Sequence, residues 1–125
     1  MDASEGLPRI VIVDHYDSYT RNLISLIASC FDPLPSPELL ASRVAVIPQS
    51  SPALAPENFQ KHLPHVDALI LSPGPGTSDN AEDFGPSASL LQAPELVDLP
   101  ILGVCLGHQG IATTAGARTV SYTHL

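Results

Sequence analysis

The sequence predicts an α/β fold in which a parallel sheet carries helices on both faces. Short runs that are apolar throughout alternate with segments of helical periodicity, a pattern typical of strands buried on both sides. Three of the loops that follow these runs carry chemically suggestive residues, and ligands of such sheets bind beyond the carboxyl ends of the strands. With 125 residues and 44% hydrophobic composition, the chain is long enough for one domain with a buried core.

Four apolar runs read as the strands of this sheet. The first, RIVIVD, ends in an acidic residue as it opens into a loop, and VDALIL runs directly into a glycine-rich and proline-rich loop. The other two runs, RVAVI and ILGV, are shorter. The predicted strands are Arg9 to Asp14, Arg43 to Ile47, Val66 to Leu71 and Ile101 to Val104.

Helices are predicted between these strands. Ser18 or Thr20 is a suitable cap for the first helix, whose apolar residues recur at helical spacing until Pro33. The segment DPLPSPE that follows holds three prolines and predicts a loop. The remaining predicted helices are Glu57 to Leu63, Asp83 to Gln92 with Pro86 as an interruption, and Gly107 to Ala115.

The charge balance excludes several classes of partner. Thirteen acidic residues against five basic ones give a formal charge of −8, which opposes binding to nucleic acid or to an anionic membrane. No apolar run approaches the length of a membrane span, and the first residues do not resemble a signal peptide, so we expect a cytoplasmic protein. Cys30 and Cys105 fit neither a metal-binding nor a disulfide spacing, which leaves a reduced, reactive thiol as an open alternative.

Cys105 has the surroundings of a nucleophile at a strand-to-helix elbow. Gly103 and Gly107 flank it at two residues' distance, where a Cβ would collide with the neighbouring strand or helix. The N-terminus of the following helix favours a thiolate and can stabilise an oxyanion. The alternative is a buried structural cysteine beside a glycine-rich turn.

The loop SPGPG, residues 72 to 76, is a second candidate site. Its prolines fix the backbone, whereas Gly74 and Gly76 permit a close approach and a main-chain N–H aimed at a ligand. This composition suits an oxyanion hole, and an ordinary turn is the alternative. The loop lacks the Lys-Ser/Thr ending of a P-loop, which argues against a nucleotide phosphate.

These motifs resemble those of a known family. VDALILSPGPGTSDNAEDFG followed by LPILGVCLGHQGIA resembles the class I (triad type) glutamine amidotransferases, and DHYDSYTRNL resembles their branch that serves chorismate-aminating enzymes. The likeness runs from about Arg9 to Ala112. It implies a flavodoxin-like sheet and hydrolysis of glutamine to glutamate and ammonia, with neither metal nor cofactor. The ammonia would pass to a synthase subunit or fused synthase domain.

The resemblance also implies roles for individual residues. Cys105 would attack the glutamine side-chain amide, and the main-chain N–H groups of Gly74 and Leu106 would hold the oxyanion. Gln109 and the loop Gly74, Pro75 and Gly76 would contact the substrate. The loop from His15 to Ser18 would lie near the synthase contact, although a solvated strand end is the alternative for that loop.

The family's base and its orienting carboxylate form a downstream His-x-Glu pair. None of the five histidines in the sequence has a Glu two positions later, so we expect the chain to be inactive alone. His108 belongs to the GHQ motif, His124 lies in the tail, and His15, His62 and His65 are expected to face solvent.

The tail departs from the family pattern. Residues 1–116 are expected to be part of an amidotransferase domain that is incomplete at its C-terminal side, and residues 117–125 to be an atypical tail. VSYTHL resembles translated sequencing-adapter read-through, which is excluded from fold reasoning. The expectation that follows is that the natural protein continues.

Several functions are compatible with these motifs. The first is the glutaminase portion of an aminodeoxychorismate synthase, which the residues of the motifs HYDSY and PGPGTSDNAEDFG favour. The alternative is the glutaminase of an anthranilate synthase. A cysteine hydrolase of the DJ-1-like type also uses an elbow cysteine, but it does not explain PGPG together with Gln109. A non-enzymatic alternative is an inactive or partner-binding fragment.

Overall fold

A computed structural model describes residues 7–15, 20–74 and 87–116. Strands and helices alternate along the chain, and short 3₁₀ turns connect some of them. The elements in chain order are β1 (Ile10–Asp14), α1 (Thr20–Ser29), α2 (Pro37–Arg43), β2 (Val44–Pro48), α3 (Pro56–Phe59), β3 (Ala68–Leu71), α4 (Ser87–Gln92), β4 (Ile101–Gly103) and α5 (Leu106–Thr114). The 3₁₀ turns are Pro52–Leu54, Leu63–His65 and Pro94–Leu96.

The four described strands form one parallel sheet in the order β2-β1-β3-β4. Ile10 lies opposite both Val44 and Ala68, and Leu69 lies opposite Ile101. The order matches the first four positions of the flavodoxin-like arrangement, in which the chain changes direction across the sheet between β1 and β3. The predicted α/β class and flavodoxin-like sheet are confirmed. In such sheets the ligand site lies where the carboxyl ends of β1 and β3 diverge.

The central strands β1 and β3 are covered on both faces, as their apolar runs predict, whereas Val46 of β2 and Leu102 of β4 are exposed. Alternate residues of β1 and β3 point to opposite faces, so two clusters form. One cluster joins Val11, Val13, Leu69 and Leu71 to Leu54, Phe59, Leu90, Leu96 and Leu106 from the connecting segments and from α3, α4 and α5. The other joins Ile10, Ile12 and Ile70 to the partly buried Leu23, Ile24 and Ile27 of α1.

The prediction of a loop over DPLPSPE is wrong at its C-terminal end, where α2 begins at Pro37. The N–H of Leu39 donates to the Ser36 hydroxyl at 3.1 Å, so Ser36 caps the helix. A proline is tolerated at the first helical position because its missing N–H has no partner in the helix. A local cap therefore decides where the proline-rich loop ends.

Other boundaries differ from their predictions by a few residues. Helix α1 ends at Ser29, before Pro33, and the predicted helix from Glu57 is a single turn that ends at Phe59. Pro64 lies in the 3₁₀ turn that follows. Helix α4 begins directly after Pro86, and the rest of its predicted N-terminal part lies outside the described residues. No described helix has the length and apolar character needed to cross a bilayer.

An ion pair ties the start of β1 to the start of β3. The Arg9 Nε lies 3.2 Å from Asp67 Oδ2, and the backbone N–H of Arg9 donates to the same oxygen at 2.7 Å. These two hydrogen bonds hold the pKa of Asp67 below its usual value. The bond from the Arg9 side chain has the larger effect and the bond from its backbone N–H the smaller one. Because the side chains are 38% and 45% exposed, solvent screens much of the attraction.

We predict that Arg9→Ala lowers the free energy of unfolding of the intact protein by less than about 1 kcal/mol at pH 7. The lowered pKa of Asp67 means that this stability is present above the unfolded-state pKa and is lost as pH falls through the folded-state value. The difference between wild type and variant, measured by urea unfolding, should therefore shrink towards acid pH. A gap that widens in acid would contradict this assignment.

Candidate functional site

Cys105 stands at the turn between β4 and α5 with a backbone conformation that few residues adopt. Its φ is 51° and its ψ is −109°, and among the described residues it is the one non-glycine residue with positive φ. Such strain costs on the order of 1–3 kcal/mol and persists only where the surrounding structure enforces it. The Cys105 side chain is exposed. The elbow thus presents the sulfur at the surface instead of burying it, which argues against a structural cysteine.

Two glycines enforce this elbow. A Cβ on Gly103 would lie 2.5 Å from the Gly107 carbonyl carbon and from the His108 nitrogen. A Cβ on Gly107 would overlap the carbonyl oxygen of Leu71 in β3. Only glycine at both positions lets the first turn of α5 lie this close to β3 and β4, as the flanking glycines of the sequence predict.

Backbone hydrogen bonds complete the elbow. The Val104 N–H donates to the Leu71 carbonyl at 3.0 Å, which continues the pairing of β4 with β3 beyond the last strand residue. The Gly107 N–H donates to the Val104 carbonyl, and the Gln109 N–H donates to the Cys105 carbonyl at 2.9 Å. Gln109 is half-buried in the first turn of α5, and Cys105 precedes that helix as its N-cap.

Gly74 follows β3 and lies close to both His15 and Leu106. A Cβ on Gly74 would be 2.6 Å from His15 Cβ, 2.7 Å from the His15 carbonyl oxygen and 2.8 Å from Leu106 Cδ2. The loop after β3 therefore approaches the start of α5, where Leu106 is 2% exposed. The structure brings Gly74, Leu106 and Cys105 to one end of the sheet. Pro75 and Gly76, which were predicted to contact the substrate, lie outside the described residues.

The expectation that His15 faces solvent is wrong, because its side chain is fully buried. His15 follows β1 directly and lies beneath the loop after β3, at the point where β1 and β3 diverge. Its Nδ1 lies 3.0 Å from the Ser72 carbonyl oxygen and its Nε2 lies 3.0 Å from Ser87 Oγ. His62 and His65 are exposed, as predicted.

Sequence reasoning missed Ser87, which is fully buried at the start of α4. Its one sequence signal is its place directly after Pro86, where a helix is expected to begin. Residues 16–18 of the predicted synthase-facing loop lie outside the described residues. Within the described ranges, no three His, Cys, Asp or Glu side chains are grouped closely enough to hold a metal ion.

Comparison with known proteins gives the family. The profile of the family described as Glutamine amidotransferase class-I matches residues 11–124. Aminodeoxychorismate synthase of Streptomyces griseus is 39% identical over 110 residues, which cover 88% of this chain and 13% of that protein. Aminodeoxychorismate synthase of Saccharomyces cerevisiae is 34% identical over 111 residues, which cover 86% of this chain and 14% of that protein.

A second group of relatives carries another name. Anthranilate synthase component 2 of Methanothermobacter marburgensis is 37% identical over 107 residues, which cover 82% of this chain and 46% of that protein. The chain spans less than half the length of each of these three relatives. The family match extends over nearly the whole sequence and includes the elbow and the loop after β3. This chain therefore belongs to the class-I glutamine amidotransferases.

Proposed function

We propose that this chain is the glutamine-hydrolysing part of an aminodeoxychorismate synthase, which supplies ammonia for the amination of chorismate on the route to 4-aminobenzoate and folate. The observation that carries this proposal is the strained, exposed Cys105 at a glycine-enforced elbow, with Gly74 beside Leu106. The family membership supports the hydrolysis of glutamine, and the residues of the motifs HYDSY and PGPGTSDNAEDFG support the folate branch. The partner in this proposal is a synthase domain or subunit in the cytoplasm.

The proposed chemistry begins with attack by the Cys105 sulfur on the side-chain amide carbon of glutamine. The new C–S bond places a negative charge on the amide oxygen, which the N–H groups of Gly74 and Leu106 would stabilise. The C–N bond then breaks, the leaving nitrogen takes up the proton that the Cys105 thiol has lost and departs as ammonia, and a thioester remains on Cys105. Water hydrolyses the thioester, releasing glutamate and restoring the thiol.

Substrate contacts are proposed on two sides of the sulfur. The Gln109 N–H donates to the Cys105 carbonyl, which keeps Gln109 close to the elbow, and its side chain would contact a substrate lying there. Gly74, Pro75 and Gly76 would contact the substrate from the loop after β3. Because no His-x-Glu pair occurs in these 125 residues, we propose that they do not turn over glutamine alone. We also propose that residues 1–116 are part of an amidotransferase domain.

The test is the product that the intact protein makes with its synthase component. Given glutamine and chorismate, it should form glutamate and aminodeoxychorismate in equal amounts. Formation of anthranilate would favour the runner-up, the glutaminase of an anthranilate synthase, which the anthranilate synthase relatives support. Absence of glutamate release would contradict both enzymatic assignments and favour a non-catalytic role.

We predict that Gly74→Ala lowers kcat for glutamine hydrolysis by about 10²–10³, the usual cost of losing one oxyanion donor. The added Cβ would crowd His15 and Leu106 and push the N–H of residue 74 away from its position. Steady-state glutaminase kinetics of the intact protein measure the effect. Ala53→Ser, a small change in a 3₁₀ turn on another connection of the fold, serves as the control and should leave kcat unchanged. Equal rates for Gly74→Ala and wild type would remove Gly74 from the oxyanion site.

A further inference from the structure

Ser72 is held on three of its atoms by the segment around His15. Its N–H donates to the Val13 carbonyl at 3.1 Å, as part of the pairing of β3 with β1. Its hydroxyl accepts the His15 backbone N–H at 2.9 Å, and its carbonyl oxygen accepts from His15 Nδ1 at 3.0 Å. Both Ser72 and the His15 ring are fully buried. The residue two positions before Gly74 is therefore fixed to the end of β1.

The Ser72 carbonyl also determines the tautomer of His15. A carbonyl oxygen can only accept, so Nδ1 must carry a proton. In the neutral ring Nε2 is then the acceptor, and the Ser87 hydroxyl donates to it across 3.0 Å. One imidazole ring thus connects the loop after β3 to the start of α4.

The chain between Ser72 and the Gly74 N–H has few free rotations. The hydrogen bond to the Ser72 carbonyl fixes the peptide plane that precedes Pro73, and the proline ring fixes the φ of Pro73. Only the ψ of Pro73 then decides where the Gly74 N–H points. The Ser72 hydroxyl donates to the Pro73 carbonyl oxygen at 2.9 Å. In a trans peptide, the N–H points opposite to the C=O, so this hydrogen bond also orients the Gly74 N–H.

We infer that His15 and Ser72 are positioning residues, which aim the Gly74 N–H at the oxyanion that forms beside Cys105. The His15 backbone and ring hold Ser72, and the Ser72 hydroxyl sets the peptide of Gly74. His15 and Leu106 also leave no room for a Cβ at Gly74. The inference rests on the proposed function, since it assigns Gly74 the role of an oxyanion donor. Ser87 supports the ring from its far side.

The test compares glutamine hydrolysis with simple alkylation of Cys105 in the intact protein. Alkylation by iodoacetamide displaces iodide from carbon and forms no oxyanion, so it reports access and reactivity of the thiol without the Gly74 N–H. Cys30 is also a free, exposed thiol, so all variants carry Cys30→Ser. The variants are Ser72→Ala, His15→Leu and His15→Asn, whose amide nitrogen lies near the position of Nδ1.

Ser72→Ala and His15→Leu should each lower kcat by about 10- to 100-fold, less than the loss of the donor itself, with little change in KM. The alkylation rate should stay within about twofold of the parent, and His15→Asn should recover most of kcat because it restores a donor to the Ser72 carbonyl. Ser72→Ala removes a single oxygen and keeps the test decisive if leucine at position 15 disturbs folding.

Two outcomes would overturn the inference. In one, kcat is retained in both Ser72→Ala and His15→Leu. In the other, kcat and the alkylation rate fall together, which indicates a general structural role. Cys105→Ala in the same background separates failure of the proposed function from failure of the inference about His15 and Ser72. If it still hydrolyses glutamine, the proposed function fails, whereas an inactive Cys105→Ala beside an active His15→Leu and Ser72→Ala leaves the proposed function standing.

Discussion

Replacing Cys105 with serine should reduce the glutaminase kcat of the intact protein by about 10⁴-fold or more, the scale on which loss of a nucleophile acts. A thiol in general ionises far more readily than a hydroxyl, so serine at this position supplies a much weaker nucleophile. Serine has nearly the same size and must adopt the same positive φ, so the elbow itself should survive. Ammonia release from glutamine, followed over many turnovers, measures the loss.

The matched control is Cys30→Ser, which makes the same chemical change at the other exposed thiol. Cys30 follows α1, and its sulfur donates to the Leu26 carbonyl at 3.3 Å, away from the carboxyl ends of the strands. This variant should keep the parental kcat. Substantial hydrolysis by Cys105→Ser, or an equal loss in Cys30→Ser, would remove Cys105 from the role of nucleophile. Under the proposed function, a synthase supplied with an external ammonium salt as nitrogen donor should still react in the Cys105→Ser variant.

Gly107→Ala should destabilise the protein by about 3 kcal/mol or more, at the upper end of overpacking effects. The added Cβ would overlap the Leu71 carbonyl oxygen and lie 2.7 Å from both the carbonyl carbon and the Cβ of Leu71. These atoms cannot move aside, because Leu71 is fully buried in β3 and its carbonyl accepts from the Val104 N–H. Urea unfolding of the intact protein measures the change.

Gly116→Ala makes the same substitution just after α5, where a Cβ would have no neighbour within 4 Å. Its backbone has φ near +103°, so the expected cost is the conformational strain alone, about 1–2 kcal/mol. The two variants together separate backbone strain from collision with β3. Similar losses of stability at the two positions would contradict the close contact of α5 with β3.

The strands and the elbow follow from local signals in the sequence. The buried strands are predicted by runs without polar residues, as in residues 10–13, and the turn at Cys105 is predicted by the spacing of Gly103 and Gly107. Such signals are local because a buried strand or a tight turn excludes most residue types at each position. The start of α2 was missed because its Ser36 cap competes with a proline-rich composition that favours a loop.

The burial of His15 could not be predicted from the sequence. Position 15 lies just past the end of β1, where the pattern of apolar residues no longer indicates whether a side chain is buried. Its hydrogen-bond partners Ser72 and Ser87 lie 57 and 72 residues away, so the sequence near His15 does not predict them. A polar residue at such a point is buried only when distant hydrogen-bond partners compensate its lost hydration.

The parallel order of the sheet has a consequence for how the protein folds during synthesis. Among the strands that the structure describes, no paired strands are joined by a short turn: Ile10 pairs with Val44 and Ala68, and Leu69 pairs with Ile101. Contacts between such distant residues make folding slow, since each closes a long loop before it gains stability. The His15 and Ser72 contact must wait for β3 to leave the ribosome, and the elbow must wait longer still. Cys105 is thus placed into position only after the rest of the described sheet exists to support it.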